Sequence, residues 1–530
     1  MNDVPFPLES SQTPKPNMPD ITNLANELLC IIFLNAIEDF PPKMAQYCPT
    51  EYPGLFAFEA PHILPILVKA PLNPFIGASE NSLTCPVTLS RVCKQWQSIA
   101  YALPSLWARI YVSDPTPKHV SLTRQWLERA RSYSRPISLV FHQSENPTSP
   151  CLDKAAEDIL LLFIAHSLLW KHIHFRLTAT NIRLLNDKLC DKSQFPKIKS
   201  AALSFIQEET EYMNVRQPGG TEYLTVRRWD ETYQETVNVA ERIWTKIHCA
   251  RTLESITWFA TWTHFDFRSD TPWRCLTQLN IQTPLKLNRL LSVLDRCKQL
   301  EVLLVVIFPS GFHLRILEPE CDFDPRIVVC SQLKTLRLHL IDRREGSWFL
   351  DNLNAPSLKK LSLSAAAQHP TQIGMSRIDT MFPPKHVLQA FLSRSNSSLE
   401  ELRLQYYHHD RATVHQYITE IGEFHLLITL EVFGDISLDT FRHFSEKTRT
   451  GLHRIMPNLE SLVLTCCKPE ITKPRALIMA QSRWHKSIPG GKGRTPGSLK
   501  NIYISPFQRH GTASGMPRWR TPLLGTSDVC

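Results

Sequence analysis

Two short segments of the chain contain residue types that could perform chemistry. Segment 489–494 reads Pro-Gly-Gly-Lys-Gly-Arg and resembles a phosphate-binding loop, while His408, His409 and Asp410 offer three potential metal ligands. The glycine segment lacks the Gly-x-x-x-x-Gly-Lys-(Ser/Thr) spacing that places backbone N–H groups around a phosphate, so a flexible basic loop is the better interpretation. Adjacent histidines just after a strand are more often solvated loop residues than ligands. We therefore predict no catalytic residue, no metal site and no cofactor.

The cysteines give no indication of a metal site or of a disulfide framework. Fourteen cysteines are scattered along 530 residues, without a Cys-x-x-Cys pair and without a Cys/His set at zinc-binding spacing. Several, including Cys30 and Cys93, occupy apolar positions of predicted helices. Because a free cysteine behaves as a small buried hydrophobe, we predict reduced thiols in the core.

Composition excludes several classes of protein. A hydrophobic content of 43% and a charged content of 21% are typical of a globular chain. The net charge of +9 is not concentrated in a basic block, which argues against nucleic-acid binding. The N-terminus lacks the apolar run of a secretory signal, and the most apolar stretch, 159–170, is too short to cross a membrane. We predict a soluble protein of the cytoplasm or nucleus that is not secreted and has no membrane partner.

Two apolar segments near the N-terminus are the most informative feature of the sequence. Both predict helices, because their apolar residues recur at the spacing of one helical face. On the first helix, with Thr22 or Asn23 as its cap, these residues are Leu24, Leu28, Ile31 and Ile32. On the second helix, with Thr88 as its cap and Pro104 at its end, they are Leu89, Val92, Cys93, Trp96, Ile99, Ala100 and Leu103. Helices with so much apolar surface must be covered by each other or by a partner.

The order of residues in these two segments resembles an F-box. That motif begins roughly Leu-Pro-x-Glu-(Leu/Ile)-(Leu/Ile)-x-x-Ile-Phe, continues with Val-Cys-(Arg/Lys)-x-Trp and ends with Leu-Trp. The residues that match its three parts are Leu24, Glu27, Leu28, Leu29, Ile32 and Phe33, then Val92, Cys93, Lys94 and Trp96, then Leu106 and Trp107. The resemblance implies a small helical module that docks the adaptor subunit of an SCF-type ubiquitin ligase and, through it, a cullin.

Two features depart from the F-box pattern. Ala25 replaces the usual proline, and a proline-rich insert at about 37–86 separates the two halves. Its nine prolines exclude a long helix and a central strand. The insert does not forbid the module, because doubling a loop's length costs only about 0.6 kcal/mol of closure entropy. If the halves form one module, the first helix packs against the second; two unrelated buried helices are the alternative.

The resemblance places seven residues at the adaptor interface. They are Leu24, Leu28, Ile31, Ile32, Val92, Cys93 and Trp96. Trp96 is expected to contribute most, because large aromatic side chains in desolvated pockets dominate interface energies. Some of the seven are expected to pack within the F-box itself, and the sequence does not divide the two sets.

Beyond residue 112 a Leu-x-x-Leu-x-Leu pattern recurs nine times, with other apolar residues at some positions. Successive copies start 23 to 41 residues apart, at Leu253, Leu276, Leu300, Leu333, Leu358, Leu399, Leu427, Leu459 and Leu499, and looser copies start at Trp170 and Ile198. The last two apolar positions of each copy would point to one buried face of a strand. The pattern resembles leucine-rich repeats, which stack into a solenoid because no single unit buries its own face. Only Cys467 matches the Asn/Cys position that usually follows, so we expect an irregular horseshoe; ordinary amphipathic α/β segments are the alternative.

The elements between the two parts support this organisation. We predict helices over 120–130, 158–169, 285–294 and 385–392, and strands over 135–141 and 170–175. The order of Trp-Leu-Glu-Arg, Arg-Pro-Ile-Ser-Leu, helix and Trp-Lys-x-Ile resembles the large F-box family of mushroom-forming fungi over most of residues 21–470. The expected fold class is α/β, with an all-helical F-box followed by an irregular leucine-rich-repeat solenoid. The expected domains are a disordered tail (1–20), the F-box (21–112), the solenoid (113–506) and a mobile tail (507–530).

These resemblances imply a substrate receptor that is not itself an enzyme. The F-box would dock the adaptor, the repeats would bind an unknown target protein, and the other subunits would perform ubiquitin transfer for degradation. Ala25 and the long insert leave a second interpretation open, a leucine-rich-repeat scaffold that binds a protein without joining a ligase. A nucleic-acid binder is a third interpretation, and only the net charge suggests it.

Overall fold

A computed structural model describes most of the chain between residues 25 and 506. The described residues are 25–35, 75–77, 86–131, 135–143, 150–189, 195–205, 212–216, 223–227, 231–259, 273–282, 287–307, 327–341, 343–365, 381–396, 398–406, 410–449, 453–467, 473–483 and 499–506. The predictions for both tails, for Thr22, Asn23 and Leu24, and for most of the proline-rich insert lie outside these residues.

Helices and strands alternate along the described chain. Its α-helices, numbered α1 to α14 in chain order, span Asn26–Asn35, Pro86–Leu89, Lys94–Ala102, Pro104–Trp107, Pro117–Arg131, Pro150–Ala165, Ala179–Leu189, Glu231–His248, Leu287–Arg296, Arg343–Asp351, Lys385–Ser395, Arg411–Glu420, Leu438–His443 and Lys473–Arg483. Its strands, β1 to β18, span Phe75–Gly77, Arg109–Ser113, Ile137–His142, Trp170–Leu177, Ser200–Phe205, Tyr212–Arg216, Tyr223–Arg227, Ser255–Phe259, Gln278–Gln282, Val302–Ile307, Val328–Val329, Thr335–Leu340, Leu353–Asn354, Lys360–Ala365, Glu401–Gln405, Thr429–Ile436, Ser461–Cys467 and Asn501–Pro506. This is the mixed α/β class that the sequence predicts.

Fourteen of these strands form one large sheet. Their order is β1-β2-β3-β4-β5-β8-β9-β10-β12-β14-β15-β16-β17-β18, and β6–β7 and β11–β13 form two small separate sheets. Every neighbouring pair of the large sheet is parallel except β1–β2, which is antiparallel. Strand β1 comes from the proline-rich insert and lies at the edge of the sheet, where it pairs with β2.

All nine predicted repeat motifs lie on strands of this sheet. Each strand begins two residues after the leading leucine, as Thr335 of β12 follows Leu333. The leucines of one copy, Leu333, Leu336 and Leu338, are fully buried. Pairing keeps successive copies in register, so Leu336 lies beside Leu361 of β14. The predicted strand positions are therefore confirmed, including β4 and β5 at the two looser copies.

A turn that the sequence pattern did not predict precedes most of these strands. The backbone N–H of the leading apolar residue donates to the carbonyl three residues earlier, as from Leu333 to Cys330. The residue at this place is apolar and buried in eight units: Phe195, Ala250, Trp273, Cys297, Cys330, Ala355, Phe424 and Met456. Each of these units therefore has one more buried apolar position than the motif indicates. The apolar residue three positions before each leading residue could have revealed this turn in the sequence.

Three basic side chains connect the end of one helix to the end of an earlier helix. Lys246 of α8 donates to the carbonyl of Leu189, the last residue of α7. Arg394 of α11 donates to the carbonyls of Leu350 and Leu353 at the end of α10 and just beyond it. Arg483 of α14 donates to the carbonyl of Phe444, just beyond the end of α13. Carbonyls at helix C-termini lack intrahelical donors, so each cation satisfies them and joins neighbouring units.

Three of the four helices predicted beyond residue 112 agree with the structure to within a few residues. The fourth, predicted over 158–169, lies instead over Pro150–Ala165, and a short 3-10 helix, Ser167–Leu169, follows it. The predicted helices over 120–130, 285–294 and 385–392 correspond to α5, α9 and α11. Within the described ranges, no helix is both long enough and apolar enough to cross a membrane.

Candidate functional site

The two apolar segments near the N-terminus pack against each other. The Phe33 ring of α1 meets the Trp96 ring of α3 edge to face, with 4.8 Å between ring centroids. The Gln95 amide nitrogen donates to Asn26 Oδ1 at 3.0 Å and joins the same two helices. Because Leu29 and Phe33 are fully buried, one side of α1 belongs to the protein core. The predicted packing of the two halves is therefore confirmed, although the insert separates them in sequence.

The second segment is not the single helix predicted from Leu89 to Leu103. It forms α2, a turn over residues 90–92 and then α3, so the predicted cap at Thr88 is wrong. Cys93 caps α3 instead: its backbone is extended, and its sulfur accepts the Trp96 N–H at 3.5 Å. Apolar spacing alone did not reveal this break, because the turn preserves the spacing on both sides. The predicted end is confirmed, since Pro104 starts α4.

Trp107 of α4 fixes this helical segment to the first unit of the sheet. Its indole N–H donates to the Ala100 carbonyl at 2.8 Å, and its ring meets the Trp126 ring of α5 at 5.3 Å between centroids. The guanidinium of Arg129, also on α5, lies 4.1 Å from the Tyr101 ring centroid and 4.3 Å from that of Trp107. A partly exposed contact of a cation with an aromatic ring contributes on the order of 1 kcal/mol. The helices and the sheet therefore share one continuous hydrophobic core.

The residues predicted at the adaptor interface fall into three groups. Leu24 lies outside the described residues. Cys93 and Trp96 are half-buried. The other four are exposed and form what we call the apolar patch: Leu28 at 50%, Ile31 at 54%, Ile32 at 45% and Val92 at 56% of their surface.

Helix α1 has two apolar sides, of which one is buried and the other is exposed to solvent. Leu29 and Phe33 pack inward, whereas Leu28, Ile31 and Ile32 follow the i, i+3, i+4 spacing of a second, solvent-facing side. Large aliphatic side chains exposed together on one helix face are typical of a binding surface. The structure thus divides the apolar residues of α1 in a way that the sequence did not, since both sides have helical spacing.

Neighbouring residues of α1 are expected to respond oppositely to truncation. Phe33→Ala removes a fully buried ring from the contact with Trp96 and should lower the free energy of unfolding by about 3 kcal/mol. Ile32→Ala, on the exposed side, should change it by less than about 0.5 kcal/mol. Urea denaturation of the two full-length variants compares them. Equal losses of unfolding free energy in the two variants would contradict the exposure of Ile32.

The segments with potential chemistry do not form a metal site in the described part of the chain. His408, His409 and segment 489–494 lie outside the described residues. Asp410 is buried, and its carboxylate accepts the backbone N–H groups of Met381 and Phe382 at 2.6 and 3.0 Å. Burial raises the pKa of this carboxyl. Among the described residues, no group of three His, Cys, Asp or Glu side chains is placed to hold a metal ion.

The described cysteines match the prediction of core thiols only in part. Cys297 and Cys330 are buried, and burial raises the pKa of each thiol to about 12, so they stay protonated and unreactive. Cys249 and Cys275 are exposed, where the prediction was wrong. Cys249 follows the end of α8, and its thiol donates to the Thr245 carbonyl at 3.2 Å.

Comparison with known proteins does not assign a family to this chain. No protein-family model matches the sequence, and no curated protein matches it. One solved structure to which the chain is similar is that of a Bacteroides fragilis protein determined as a structural-genomics target. It is 13% identical, the match covers 62% of this chain and 80% of that chain, and the TM-score is 0.33. Similarity at this level carries no information about function.

Proposed function

We propose that this protein is the substrate-recognition subunit of an SCF-type cullin ubiquitin ligase. The helices α1 to α4 act as an F-box that docks the adaptor subunit, and the stacked strand units act as leucine-rich repeats that bind a target protein. The chain supplies binding and proximity, while ubiquitin transfer takes place on other subunits.

The apolar patch is the observation that carries this proposal. Four of the seven residues that the F-box resemblance assigns to the adaptor are exposed, although all four are large and aliphatic. The apolar residues of the motif outside that set, Leu29, Phe33, Leu106 and Trp107, are at most 1% exposed. A docking module requires this division, because some of its apolar residues must hold it together while others remain available to a partner.

Two features of the remaining chain support the receptor role. Trp107 and Arg129 attach the docking helices to the sheet through buried and stacked contacts, which holds the adaptor side at a set position relative to the strand units. The parallel strands stack in register with the leucine motif, as expected for leucine-rich repeats. A target bound to these units is thereby presented at a defined distance from the adaptor.

Binding of the purified adaptor subunit to the full-length chain tests this function. Wild-type protein should bind, and the double variant Ile32→Asp/Val92→Asp should bind at least 100-fold more weakly, because two charges then enter an apolar interface. The thermal unfolding midpoint should stay the same, since both side chains are exposed. Calorimetric titration gives the affinity, and a thermal scan gives the stability.

Ile478→Asp is the matched control for this experiment. Ile478 lies on α14 and is 62% exposed, so the substitution adds a charge to an equally exposed aliphatic position outside the docking helices. Adaptor affinity should not change in this variant. A folded wild-type chain that does not bind the adaptor would exclude the ligase role and leave the protein-binding scaffold as the function.

A further inference from the structure

The large sheet has a second face, whose side chains alternate with the buried leucines. We call it the polar face. Strand register aligns one row of this face across the C-terminal strands: Arg337, Ser362, Arg403, Glu431, Val463 and Tyr503. A second row, two residues further along the strands, contains His339, Ser364, Gln405 and Phe433. Neighbouring strands lie about 4.8 Å apart, so side chains of adjacent strands in one row can contact the same ligand.

Solvent access to the polar face changes along the sheet. In the row that contains Arg403, the residues on strands β3 to β10 are buried: Val140, His174, Ala202, Thr257, Asn280 and Leu304. From β12 to β18 the residues of this row are partly exposed, as are Gln405 and Phe433 of the second row, whereas His339 and Ser364 of the second row are buried. The C-terminal part of this face therefore has room for a partner, and we call it the open polar face.

Arg403 is the central cation of the open polar face. Its guanidinium carbon lies 4.6 Å from the centroid of the Phe433 ring, which holds the side chain against the sheet. Its Nε lies 3.7 Å from a carboxylate oxygen of Glu431, beyond hydrogen-bond range, and 41% of the side chain is exposed. Among the described residues the guanidinium therefore makes no hydrogen bond to this carboxylate, and Arg, Tyr and Phe are among the residue types enriched at protein interfaces.

Among the described residues of β14 and β15, the charges next to Arg403 on this face pair with each other. Lys360 and Glu401, at the starts of β14 and β15, form an ion pair of 2.5 Å. Glu431 neutralises Arg403 only in part, because their separation permits attraction without a hydrogen bond. A carboxylate from a partner could form the bidentate pair that Glu431 does not form. Beside it, Phe433, Val463 and Tyr503 provide apolar surface for a neighbouring side chain.

We infer that the open polar face binds an extended segment of the target protein that carries a carboxylate next to an apolar side chain. This inference rests on the proposed receptor function and identifies the class of target segment. The carboxylate pairs with Arg403, and the apolar side chain packs on the surface formed by Phe433, Val463 and Tyr503.

Two random peptide pools with equal apolar content, one rich in Asp and Glu and one rich in Lys and Arg, test this inference on the full-length chain. Wild type should retain the acidic pool at least tenfold better than the basic pool. Arg403→Gln should remove most of this preference, and Glu431→Gln should strengthen it, because the competing carboxylate is lost. Fluorescence anisotropy at low and high salt measures the affinities, and the preference should weaken with salt.

Arg442→Gln is the control, since Arg442 is exposed on α13 and pairs only with the nearby Asp439 within the described chain. It should leave peptide binding unchanged. Equal binding of both pools by wild type, or equal loss in Arg403→Gln and Arg442→Gln, would overturn the inference. Adaptor affinity is measured on the same samples: a chain that binds the adaptor but not the acidic pool keeps the proposed function and loses this inference. A chain that binds the acidic pool but not the adaptor keeps this inference and loses the proposed function.

Discussion

Lowering the pH from 7 to 5 is expected to remove about 6 kcal/mol of the folding free energy of this protein through three buried histidines alone. These histidines, His174, His248 and His339, are among the four described histidines that are at most 4% exposed. Burial lowers the pKa of His174 and His339 to about 4 and that of His248 to about 3, from an ordinary value of 6.5. The folded chain therefore keeps them neutral over a range in which the unfolded chain protonates them.

The direction of this pH dependence follows from the protons that the chain takes up when it unfolds. Well above pH 6.5 all three histidines are neutral in both states, so they cause no loss of stability there. As the pH falls towards 4 the unfolded state binds protons and is stabilised, at a cost of about 2 kcal/mol of folding free energy per histidine by pH 5. The buried Asp410, whose pKa is raised, acts in the opposite direction but is a single group. The total is comparable to the stability of a whole domain, about 5–15 kcal/mol.

Urea denaturation at pH 7, 6 and 5 measures this loss, and His339→Asn isolates one contribution. The asparagine amide can still bond to Ser364, whose hydroxyl lies 2.8 Å from the His339 ring nitrogen, but it does not titrate. The variant should lose about 2 kcal/mol less than wild type between pH 7 and 5. His386→Asn, at an exposed position of α11, should behave like wild type. A stability that is constant from pH 7 to 5 would contradict the burial of these histidines.

Arg483→Met is expected to lower the free energy of unfolding by about 4 kcal/mol. Arg483 is completely buried and donates to the carbonyls of Phe444, Ile455 and Met456 at 2.7, 2.8 and 3.0 Å, through three different guanidinium nitrogens. Methionine has a similar length but no donor, so three buried carbonyls lose their partner. Burial lowers the pKa of Arg483 to about 10, which still leaves it charged near neutral pH.

Arg442→Met is the matched control, because Arg442 is a surface residue whose pairing with Asp439 is worth at most about 1 kcal/mol. Hydrogen exchange on Arg483→Met should show loss of protection first around β16 and β17, whose connecting segment Arg483 holds. If the open polar face binds the target, the same variant should lose peptide binding and keep adaptor binding. A loss spread evenly over α1 and the C-terminal strands would show that Arg483 stabilises the whole chain rather than this unit.

The strand units could be predicted from the sequence because their signal is local. In each copy two apolar residues two positions apart require a strand with one buried face, and the structure has a strand at every predicted place. Leu333, Leu336 and Leu338 of one copy are all buried, as the pattern requires. The helix α3 was predicted less well, because its start depends on a hydrogen bond from the Trp96 N–H to the Cys93 sulfur and not on apolar spacing.

At the candidate docking site, too, apolar spacing did not predict which residues are buried. The sequence identified α1 as unusually apolar and named the residues of the F-box motif, but helical periodicity treats Leu29 and Ile32 alike. Burial of Leu29 and exposure of Ile32 follow from where α3 and α4 lie, and those positions depend on contacts such as Phe33 with Trp96. The same holds for Arg403, an ordinary polar residue of a strand until the register places Glu431 and Phe433 beside it.

The sequence by itself therefore determined the α/β class, the positions of the nine repeat strands and the apolar character of the N-terminal helices, because these depend on spacing within one element. Only the tertiary structure decided which side of α1 is exposed, which carbonyls Arg483 satisfies and where the polar face opens. These features depend on residues that are distant in the chain, such as Asn26 and Gln95 across the insert. Contacts of this kind leave no periodic trace in a single sequence, because either partner alone is compatible with many surroundings.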